Sequence, residues 1–436
     1  MKKEKFNILR IGDIVHTVSE THKFDKDFLI AINTSDVYNG VMGKGALTPV
    51  ANLKGQFKKT IKTGDLLFSE IRPANRRFAK VTATECQDFV VSTKLMVLRK
   101  FNDQVDSDYF YYCLTNQPFL DTLQRRAENR IGSFPQITFD LLSGYAFPIP
   151  PLEEQKRISK VIASIDRKIE LNKQINDNLE AMAKQLYDYW FVQFDFPNEE
   201  GKPYKSSGGA MVWNDKLKRE IPQGWSNGVL SDVANITMGQ SPDGSSYNED
   251  GEGIIFYQGS TDFGLRFPNI RQYTTSPSRY ANKGDILMSV RAPVGALNIA
   301  NNDCCIGRGL SALSSKIGSM THLYYLMNDF RLKFEGMNSA GTTFGSITKD
   351  ELFSLPVIIP TKSVISEFEQ VCEPIFDKQM IIGEEINALT KQRDELLPLL
   401  MNGQASVNYH LSFGILFVYL FLNSQNMEYV WQQKIY

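Results

Sequence analysis

The chain has 436 residues, which is too long for one ordinary hydrophobic core and predicts two or more domains. Its hydrophobic share of 42% and charged share of 22% are ordinary for a folded soluble protein, and its net charge of -1 excludes a global electrostatic attraction to nucleic acid. Charge is uneven, however: residues 1–150 carry 21 Lys and Arg against 16 Asp and Glu, and residues 221–360 carry 10 against 12. The basic surplus of the first half is compatible with phosphate contacts.

The cysteines, histidines and apolar runs predict a reduced cytoplasmic protein with no metal site and no membrane contact. None of the five cysteines forms a CxxC pair and the four histidines are scattered, so we expect free thiols and no zinc. The N-terminus, 1–15, has no long apolar run, which argues against a signal peptide. The apolar run 411–422 is too short to span a bilayer comfortably.

Residues 1–150 are predicted to form a mixed, strand-rich domain. Short apolar runs recur between Gly, Asn and Asp, and they predict strands at 28–32, 66–68, 89–91 and 95–98. A helix is predicted over 108–124, and a basic cluster of Arg125, Arg126 and Arg130 follows it. The segment 132–138 is predicted to be an exposed turn that leads to a last strand ending at Pro150.

The segment 151–190 is predicted to be a long helix with a coiled-coil seam. Apolar or small residues recur at alternating steps of four and three, a spacing of 3.5 residues. The seam positions are Ile158, Ile162, Ile165, Ile169, Asn172, Asn176, Leu179, Ala183 and Leu186. Such a helix is a rod of about 50 Å. One helix cannot bury this seam alone, and polar Asn172 and Asn176 in it would fix the register at some cost in stability.

An aromatic patch at 189–197 follows the helix and predicts burial against another surface, such as a second subunit. The segment 198–220 is predicted to be a linker or an extended crossing segment, and a second globular domain is predicted from 221 to 360.

An internal repeat relates the two globular segments. Residues 64–69, GDLLFS, are matched by 284–289, GDILMS, and the segment 137–150 is matched by 347–360. A second heptad helix follows the second copy and ends at Gly403, a natural C-cap. Its seam positions are Phe368, Val371, Ile375, Ile382, Ile386, Leu389 and Leu396.

The sequence therefore predicts an α+β protein with two strand-rich domains in tandem, each followed by a long helix. The two helices are expected to pair as an antiparallel coiled coil with pseudo-two-fold symmetry. The alternative, in which each helix packs on its own domain, suits a narrow 3.5-residue seam less well. The predicted boundaries are 1–150, 151–195, 196–220, 221–360, 361–405 and an atypical tail at 406–436.

Motifs for catalysis are missing from the sequence. It has no GxxxxGK[ST] loop, GxSxG elbow, HExxH pair or Asn-Pro-Pro-aromatic methyltransferase box. Asp65 and Asp285 follow glycine before buried strands, and a Gly-Asp turn explains them better than a carboxylate site. We therefore expect no catalytic residue on this chain.

Residues suited to DNA contact lie in duplicated loops. Arginine forks match guanine edges and phosphates, and hydroxyls and amides bind phosphates or bases. For any one of these residues, ordinary solvated loop polarity is the more common explanation, and the argument depends on their duplication. The candidates are Arg72, Arg76, Arg77, Arg126, Arg130, Ser133, Gln240, Ser241, Tyr257, Gln258, Arg291, Arg308, Thr342, Thr343 and Ser346.

Over 8–405 the sequence resembles the specificity subunit of type I restriction–modification enzymes. The segments that carry the resemblance are IPPLEEQKRI at 149–158, NxxLExMAKQLYDYWFVQFDFP at 176–197, IPQGW at 221–225, GQSP at 239–242, GDILMSVRAPVG at 284–295, CCIGRGLSAL at 304–313 and RDELLPLLMNGQ at 393–404. Each is modest alone, but their order and spacing are specific.

The resemblance implies two target recognition domains, each reading one half of a split DNA sequence, with the helices as a spacer that sets the gap. It implies no catalysis and no cofactor on this chain. It also implies double-stranded DNA and two methyltransferase subunits as partners, with S-adenosylmethionine on those subunits. Restriction subunits that use ATP and Mg²⁺ are further implied partners. Tyr189, Trp190, Phe191 and Phe194 are the candidate residues for binding a partner subunit.

Two other functions remain open at this point: a stand-alone DNA-binding or scaffold protein of the same architecture, and an enzyme with fused recognition domains, which would need catalytic motifs. The tail beyond the Asn402-Gly403-Gln404 ending is unlike the family. It is expected to be a peripheral helix, a read-through product or a rearranged C-terminus.

Overall fold

The computed structural model describes residues 6–53, 55–129, 135–339, 345–410, 415–421 and 428–434. The chain divides into two compact units. The first unit contains Met1–Ile169 and Ala388–Tyr436, and the second unit contains Glu170–Asn387. Both divisions fall inside long helices, Leu152–Tyr187 and Lys362–Met401. Each unit therefore combines one strand-rich domain with a segment of each long helix.

The first unit contains two four-stranded sheets. The first sheet is antiparallel, with the strand order Val15–Thr17, Leu95–Lys100, Leu66–Ser69, Phe78–Lys80. The second has the order Ala46–Pro49, Phe28–Ile32, Phe89–Ser92, Phe57–Lys59, and its central pair is parallel. Apolar strand residues such as Leu67, Val91 and Val97 share one buried cluster. Their neighbours Leu66, Val90 and Met96 are buried as well, so both faces of these strands are covered and the strands read as continuous apolar runs.

Shorter elements complete the first unit. Strand Asn7–Arg10 pairs with Ala146–Ile149, and Val37–Tyr38 pairs with Val41–Met42. The helices are Ser107–Thr115, Gln117–Glu128 and Phe139–Ser143, with short 3-10 turns at Ile11–Asp13, Thr34–Asp36, Val50–Asn52 and Pro73–Asn75.

The single helix predicted over 108–124 is two helices. Asn116 lies between them with an extended backbone (ψ 145°), and its side-chain oxygen accepts a hydrogen bond from the Phe119 N–H at 3.0 Å. Pro118 explains the break because proline has no N–H to continue the first helix but is tolerated in the first turn of the second.

The second unit repeats this architecture. Its first sheet has the order Ala234–Met238, Leu310–Ser315, Ile286–Ser289, Leu297–Ile299. Its second sheet has the order Tyr247–Asn248, Tyr273–Thr274, Ile254–Tyr257, Cys304–Ile306, Tyr280–Ala281, again with one parallel pair, Ile254–Tyr257 with Cys304–Ile306. Strand Ser226–Val229 pairs with Pro356–Ile359. The first sheets of the two units match strand for strand, and each second sheet is built around one parallel pair, with one additional strand in the second unit. This confirms the duplicated α+β architecture predicted from the repeat.

The helices of this second domain are Leu230–Val233, Met320–Ser339 and Lys349–Phe353, with 3-10 turns at Gly244–Ser246 and Ser260–Asp262. Of the helices in the described part of the chain, none is long and apolar enough to cross a membrane.

The two long helices pair in antiparallel directions. In the second unit, the Asn172 amide donates to Glu385 at 2.8 Å, and the Gln379 amide donates to Glu180 at 2.9 Å. Rising numbers on one helix therefore meet falling numbers on the other. In the first unit, an ion pair of 3.0 Å joins Asp166 of the first helix to Arg393 of the second. These contacts confirm the predicted antiparallel pairing.

The predicted seam is buried along most of the first long helix, and Leu179 and Leu186 are half-buried. One predicted position of the second helix is wrong: Val371 is 48% exposed, and the neighbouring Cys372 is buried in its place. Buried residues there follow the steps Phe368, Cys372, Phe376. A straight helix has 3.6 residues per turn, so a strict heptad drifts slowly to one side, and one extra step of four moves the seam back in the opposite direction.

The aromatic patch at 189–197 does not need a second subunit for its burial, which corrects the expectation for its largest members. Trp190, Phe191 and Phe194 are only 5%, 6% and 1% exposed. Phe191 packs against Phe368 of the second long helix with ring centroids 4.8 Å apart, and Phe194 packs against Trp225 at 5.5 Å. The patch is thus the core that joins the end of the first helix to the second domain. Tyr189 is half-buried.

The segment predicted as a linker is folded. Met211–Asn214 and Arg219–Pro222 form an antiparallel hairpin, and the first long helix continues beyond Tyr187 as one π-helical stretch, Asp188–Val192. The described part of the tail forms three antiparallel strands, Ala405–His410, Ile415–Phe421 and Glu428–Lys434, so the expected peripheral helix is wrong.

Candidate nucleic-acid interface

Three loops of the second unit meet at one edge of its first sheet. The strand registers pair Met238 with Ser311 and Ser289 with Leu310, so two strands end where the third begins. The loops 239–241, 290–295 and 307–309 therefore leave the sheet together. We call them the loop edge of the second unit.

Backbone hydrogen bonds hold the loop edge together. The Gln240 N–H donates to the Ile306 carbonyl at 3.0 Å, the Arg308 N–H donates to Ser241 Oγ at 3.3 Å, and the Val290 N–H donates to the Gly309 carbonyl at 2.9 Å. A Cβ atom on Gly239 would lie 2.2 Å from the Gly307 oxygen, so the first loop approaches this close only with glycine.

Most candidate residues of the second unit are presented at this edge. Gln240, Gln258, Arg308, Arg291 and Ser346 are exposed, and Ser241 is half-buried. Gln258 adjoins the edge because a Cβ on Gly309 would lie 2.7 Å from its carbonyl oxygen. Arg291 forms a β-bridge with Ser346. The structure thus gathers residues from five separate sequence positions into one set of connected loops.

Tyr257 is the exception, and the expectation that it contacts DNA from a loop is corrected. Its side chain is fully buried, 0% exposed, and its hydroxyl donates to Asn301 at 3.5 Å. Burial raises the pKa of this phenol above its ordinary value. Tyr257 ends a strand of the second sheet and belongs to the core beneath the loop edge.

The first unit has a corresponding loop edge, formed by the loops 70–77 and 93–94 at the end of its first sheet, where Ser69 pairs with Leu95. Ile71 forms a β-bridge with Gln136, and the Arg72 N–H donates to the Pro135 carbonyl at 3.0 Å. This bridge matches the one between Arg291 and Ser346, so Ile71 rather than Arg72 is the counterpart of Arg291. Arg72 is exposed and has a left-handed backbone (φ 47°). Each unit therefore presents an arginine within one residue of the same bridge.

Arg76 and Arg77 bind their own chain. Arg76 Nε donates to Asn39 Oδ1 at 2.8 Å, and its Nη1 donates to Gln117 Oε1. Arg77 Nη1 donates to the carbonyls of Ser35 and Val37 at 3.1 and 3.3 Å. These guanidinium groups brace the loops around 35–42, so the structure gives them a supporting role beside the edge.

Of the other candidates, Arg126 is exposed on the helix Gln117–Glu128. Arg130, Ser133, Thr342 and Thr343 lie outside the described residues.

Sequence reasoning missed several residues at these edges. In the first unit these residues include Lys94 and Gln56, whose side chains are exposed. The Glu70 N–H donates to the Lys94 carbonyl at 3.1 Å, and the Thr93 N–H donates to the Gln56 carbonyl at 2.8 Å. In the second, the Ile306 N–H donates to the carbonyl of exposed Arg279 at 2.9 Å. Only strand pairing places them there, and no local motif marks them.

A lysine supports the first edge from below. Lys59 Nζ donates to the carbonyls of Thr93 and Leu95 at 3.1 and 2.7 Å, and burial lowers the pKa of its ammonium. The carbonyls at the start of the strand Leu95–Lys100 are thereby paired within the protein. Among the described residues no group of three or more His, Cys, Asp or Glu side chains could hold a metal ion.

Comparison with known proteins identifies relatives over most of the chain. The family described as type I restriction modification DNA specificity domain matches residues 3–181 and 222–395. The chain is 28% identical over 453 residues to the type I restriction enzyme HindI specificity subunit of Haemophilus influenzae, covering 90% of this chain and 98% of that one. It is 33% identical over 358 residues to the putative type I restriction enzyme MjaX specificity subunit of Methanocaldococcus jannaschii, covering 79% of each.

The fold also has a solved counterpart. The crystal structure of the S subunit of a type I restriction-modification system from M. genitalium superposes with a TM-score of 0.54 at 14% identity, covering 92% of this chain and 97% of that one. At this identity the likeness supports the fold alone. Because the family matches both repeats and more than half of the residues, the chain belongs to the family of type I restriction–modification specificity subunits.

Proposed function

We propose that this chain recognises a bipartite DNA sequence, with one half read by the loop edge of each unit, and that it directs adenine methylation and restriction by partner subunits. The observation that carries the proposal is the duplicated edge. In both units the same β-bridge lies at the end of the same sheet, with an exposed arginine in the bridge of the second unit, Arg291, and one residue after the bridge of the first, Arg72.

The side chains at the edges suit base and phosphate recognition. An arginine fork can bind the O6 and N7 atoms of guanine, and a glutamine amide can bind the N6 and N7 atoms of adenine. Arg308, Gln240 and Gln258 offer these groups in the second unit, and Arg72 with Lys94 offers cations in the first. Two edges with different residues suit a target with two different halves.

The long helices are the part of the chain that would set the gap between the halves. Each is continuous through both units, and polar contacts fix their pairing. Two half-sites read from one face of B-DNA should lie about one helical turn apart, or a multiple of it. The length of the paired helices, and not the sequence of the loops, would then determine the number of unread base pairs.

Chemistry would belong to partner subunits. We infer that two methyltransferase subunits supply S-adenosylmethionine and that restriction subunits supply ATP and Mg²⁺ for translocation and cleavage, while this chain selects the DNA. Such a division of labour needs only binding groups on the specificity chain. In this scheme Tyr189 is the member of the candidate partner surface that keeps some exposure.

The direct test compares the methylated adenines of the host genome with and without this gene. Loss of methylation at one bipartite motif is expected. In a purified complex with the methyltransferase, Arg308→Ala should weaken methylation by about 5- to 150-fold and relax one half of the motif, as expected for one bidentate base contact of about 1–3 kcal/mol. The control Lys202→Ala removes an exposed lysine that precedes the hairpin, and it should change neither the rate nor the motif.

Changing the helix length tests the gap. Seven residues inserted after Glu170 and seven after Ile386 keep the seam in phase and add about 10 Å to both helices. At about 3.4 Å per base pair, the unread gap should grow by about three base pairs while both half-sites stay the same. Leu171→Ala, at an exposed helix position, is the control without a change in length. An unchanged gap after the paired insertion would refute the role of the helices.

A stand-alone DNA-binding or scaffold protein is the second candidate function. It predicts that the chain binds its DNA fully without a methyltransferase and that deleting the gene leaves adenine methylation unchanged.

A further inference from the structure

One carboxylate of the second unit joins three elements. Glu180 Oε2, on the first long helix, accepts a hydrogen bond from Gln379 of the second long helix at 2.9 Å. It also accepts one from the Tyr325 hydroxyl, on the domain helix Met320–Ser339, at 3.3 Å. The guanidinium of Arg266, from a loop of the same domain, lies 3.5 Å away. Both long helices and the domain therefore meet at this atom.

Arg266 is nearly enclosed at this meeting point. Its side chain is only 9% exposed. The guanidinium lies over the rings of Tyr324 and Phe376, 5.5 and 4.9 Å from their centroids, and Nη2 donates to Gln379 Oε1 at 3.1 Å. A planar guanidinium held by two rings, an amide and a carboxylate admits little sliding.

The next residue adds an apolar contact to the same helix. Phe267 is buried, and its ring lies so close to Gly383 of the second long helix that a Cβ there would be 2.7 Å from Phe267 Cε2. The loop that carries Arg266 and Phe267 thus contacts the long helices through apolar packing as well as through charge.

The first unit has its own version of this junction. Asp166 of the first long helix accepts a hydrogen bond from the Tyr112 hydroxyl at 2.9 Å, through Oδ2. Its other oxygen, Oδ1, accepts one from Arg393 of the second long helix at 3.0 Å. Tyr112 lies on the domain helix Ser107–Thr115, so again a domain tyrosine and both long helices converge on one carboxylate.

The two junctions share one arrangement. Tyr112 and Tyr325 lie on domain helices, Ser107–Thr115 and Met320–Ser339, and each donates to a carboxylate of the first long helix, Asp166 or Glu180. The tyrosine and the carboxylate are present in both units, whereas the source of the arginine differs. In the first unit the arginine comes from a long helix, and in the second unit it comes from the domain as Arg266.

We propose that these two junctions are positioning devices: Tyr112 with Asp166 and Arg393, and Tyr325 with Glu180 and Arg266, hold each recognition domain at one orientation on the helical pair. This inference rests on the proposed function and deepens it, because a fixed orientation makes the gap between half-sites a single number of base pairs. Directional hydrogen bonds to a partly buried carboxylate specify one geometry, whereas apolar contacts alone tolerate several.

The tyrosines remain donors throughout the physiological pH range. Burial, reinforced by the neighbouring carboxylates, raises the pKa of Tyr112 and of Tyr325 above the ordinary value of a phenol. The junctions should therefore not loosen through loss of the hydroxyl proton.

The test measures methylation by the complete complex on DNA duplexes that carry both half-sites separated by the natural gap or by gaps one or two base pairs shorter or longer. For wild type we expect one preferred gap. Arg266→Met and Tyr325→Phe should lower the ratio of kcat/KM between the preferred and neighbouring gaps at least tenfold, with base preference inside each half-site unchanged. The matched control is Lys283→Met, which breaks an exposed ion pair of the same domain with Glu384 of the second long helix and should leave the ratio unchanged.

Gly383→Ala keeps the experiment decisive if Arg266→Met fails to fold. The added methyl group pushes on Phe267 and displaces the loop without removing any hydrogen-bonding group, and alanine favours a helix more than glycine does. It should broaden the gap preference in the same way.

Variants that lose activity equally at every gap, or that keep the wild-type ratio, overturn the positioning role. A wild-type complex that prefers no bipartite sequence instead refutes the proposed function itself.

Discussion

Asn172 and Asn176 occupy the same seam, but the structure predicts opposite results when each is changed to leucine. Both are buried, 2% and 7% exposed. The Asn172 amide donates to Glu385 at 2.8 Å, whereas Asn176 Oδ1 is buried and has no hydrogen-bond partner among the described residues. Both substitutions replace an asparagine of the seam with leucine, so the difference between their unfolding free energies reports chiefly the contribution of the hydrogen bond that Asn172 makes and Asn176 lacks.

The expected magnitudes follow from these contacts. Both variants gain about 2 kcal/mol from burying an apolar side chain and lose about 1 kcal/mol through imperfect packing. Asn172→Leu also loses a hydrogen bond to a charged group, about 1.5–3 kcal/mol, so its unfolding free energy should fall by about 1 kcal/mol. Asn176→Leu instead removes an unpartnered buried oxygen, which is worth about 1–3 kcal/mol, so its unfolding free energy should rise by about 3 kcal/mol.

Urea unfolding followed by tryptophan fluorescence measures this difference. Trp190, Trp213 and Trp225, three of the four tryptophans, belong to the second unit together with both asparagines. With a denaturant slope of about 2 kcal/mol/M, Asn176→Leu should raise the midpoint by about 1.5 M and Asn172→Leu should lower it by about 0.5 M. Equal midpoints, or a lower midpoint for Asn176→Leu, would refute the reasoning.

The double variant, Asn172→Leu with Asn176→Leu, tests whether these residues fix the register of the long helices. An all-apolar seam should be more stable but should allow the helices to pair in more than one register. The complex should then methylate targets with several gaps, and a single unchanged gap would contradict this.

Three further predictions concern stability. Burial lowers the pKa of His322 to about 3, so folding favours the neutral imidazole. Between pH 6.5 and 5.0 the unfolding free energy of wild type should therefore fall by about 2 kcal/mol more than that of His322→Phe. Parallel pH profiles of the two proteins in urea unfolding would contradict this. Arg99→Met leaves the carboxylate of Asp65, which is 2% exposed, without its bidentate partner. The unfolding free energy, measured by circular dichroism, should fall by about 3 kcal/mol. A fall of less than about 1 kcal/mol would argue against this. Gly251 and Gly253 have nearly equal positive φ values, +88° and +85°, but of the two only Gly253 would bring a Cβ against a backbone oxygen, at 2.2 Å. Gly251→Ala should therefore lower the unfolding free energy by about 1–2 kcal/mol, and Gly253→Ala should lower it clearly more. Equal melting temperatures for the two variants would count against the contact.

The sequence predicted the parts of the fold that depend on local pattern. The strand Phe28–Ile32 was predicted with its observed bounds, because an uninterrupted apolar run between turn residues can hardly form anything else. The seam from Ile158 to Asn176 and the cap at Gly403 (φ +68°) were predicted for the same reason. Val371 was predicted to be buried instead of Cys372 because a step of three was assumed after Phe368, whereas the buried positions there take two steps of four.

Contacts between distant segments could not be predicted. The burial of Phe191 depends on Phe368 and Trp225, which are far from it in sequence. An apolar patch therefore indicates that something covers it, but not what. Likewise, Arg76 occurs in an arginine-rich loop that suggests DNA contact, yet its guanidinium is held by Asn39 and Gln117. Loop composition indicates which groups are available, and only the fold decides which of them remain free.

The division of the two long helices between the units has a consequence for how the protein is made. The second unit, Glu170–Asn387, is contiguous in sequence, so all of its contacts can form as soon as residue 387 has left the ribosome. The first unit is not contiguous. Its domain emerges first, but Asp166 cannot bind Arg393, and Cys113 cannot contact Met401, until the end of the second long helix has been synthesised. The segment of the chain that is synthesised first is therefore the last to be completed, and until then its half of the helical seam is exposed to chaperones and to neighbouring chains.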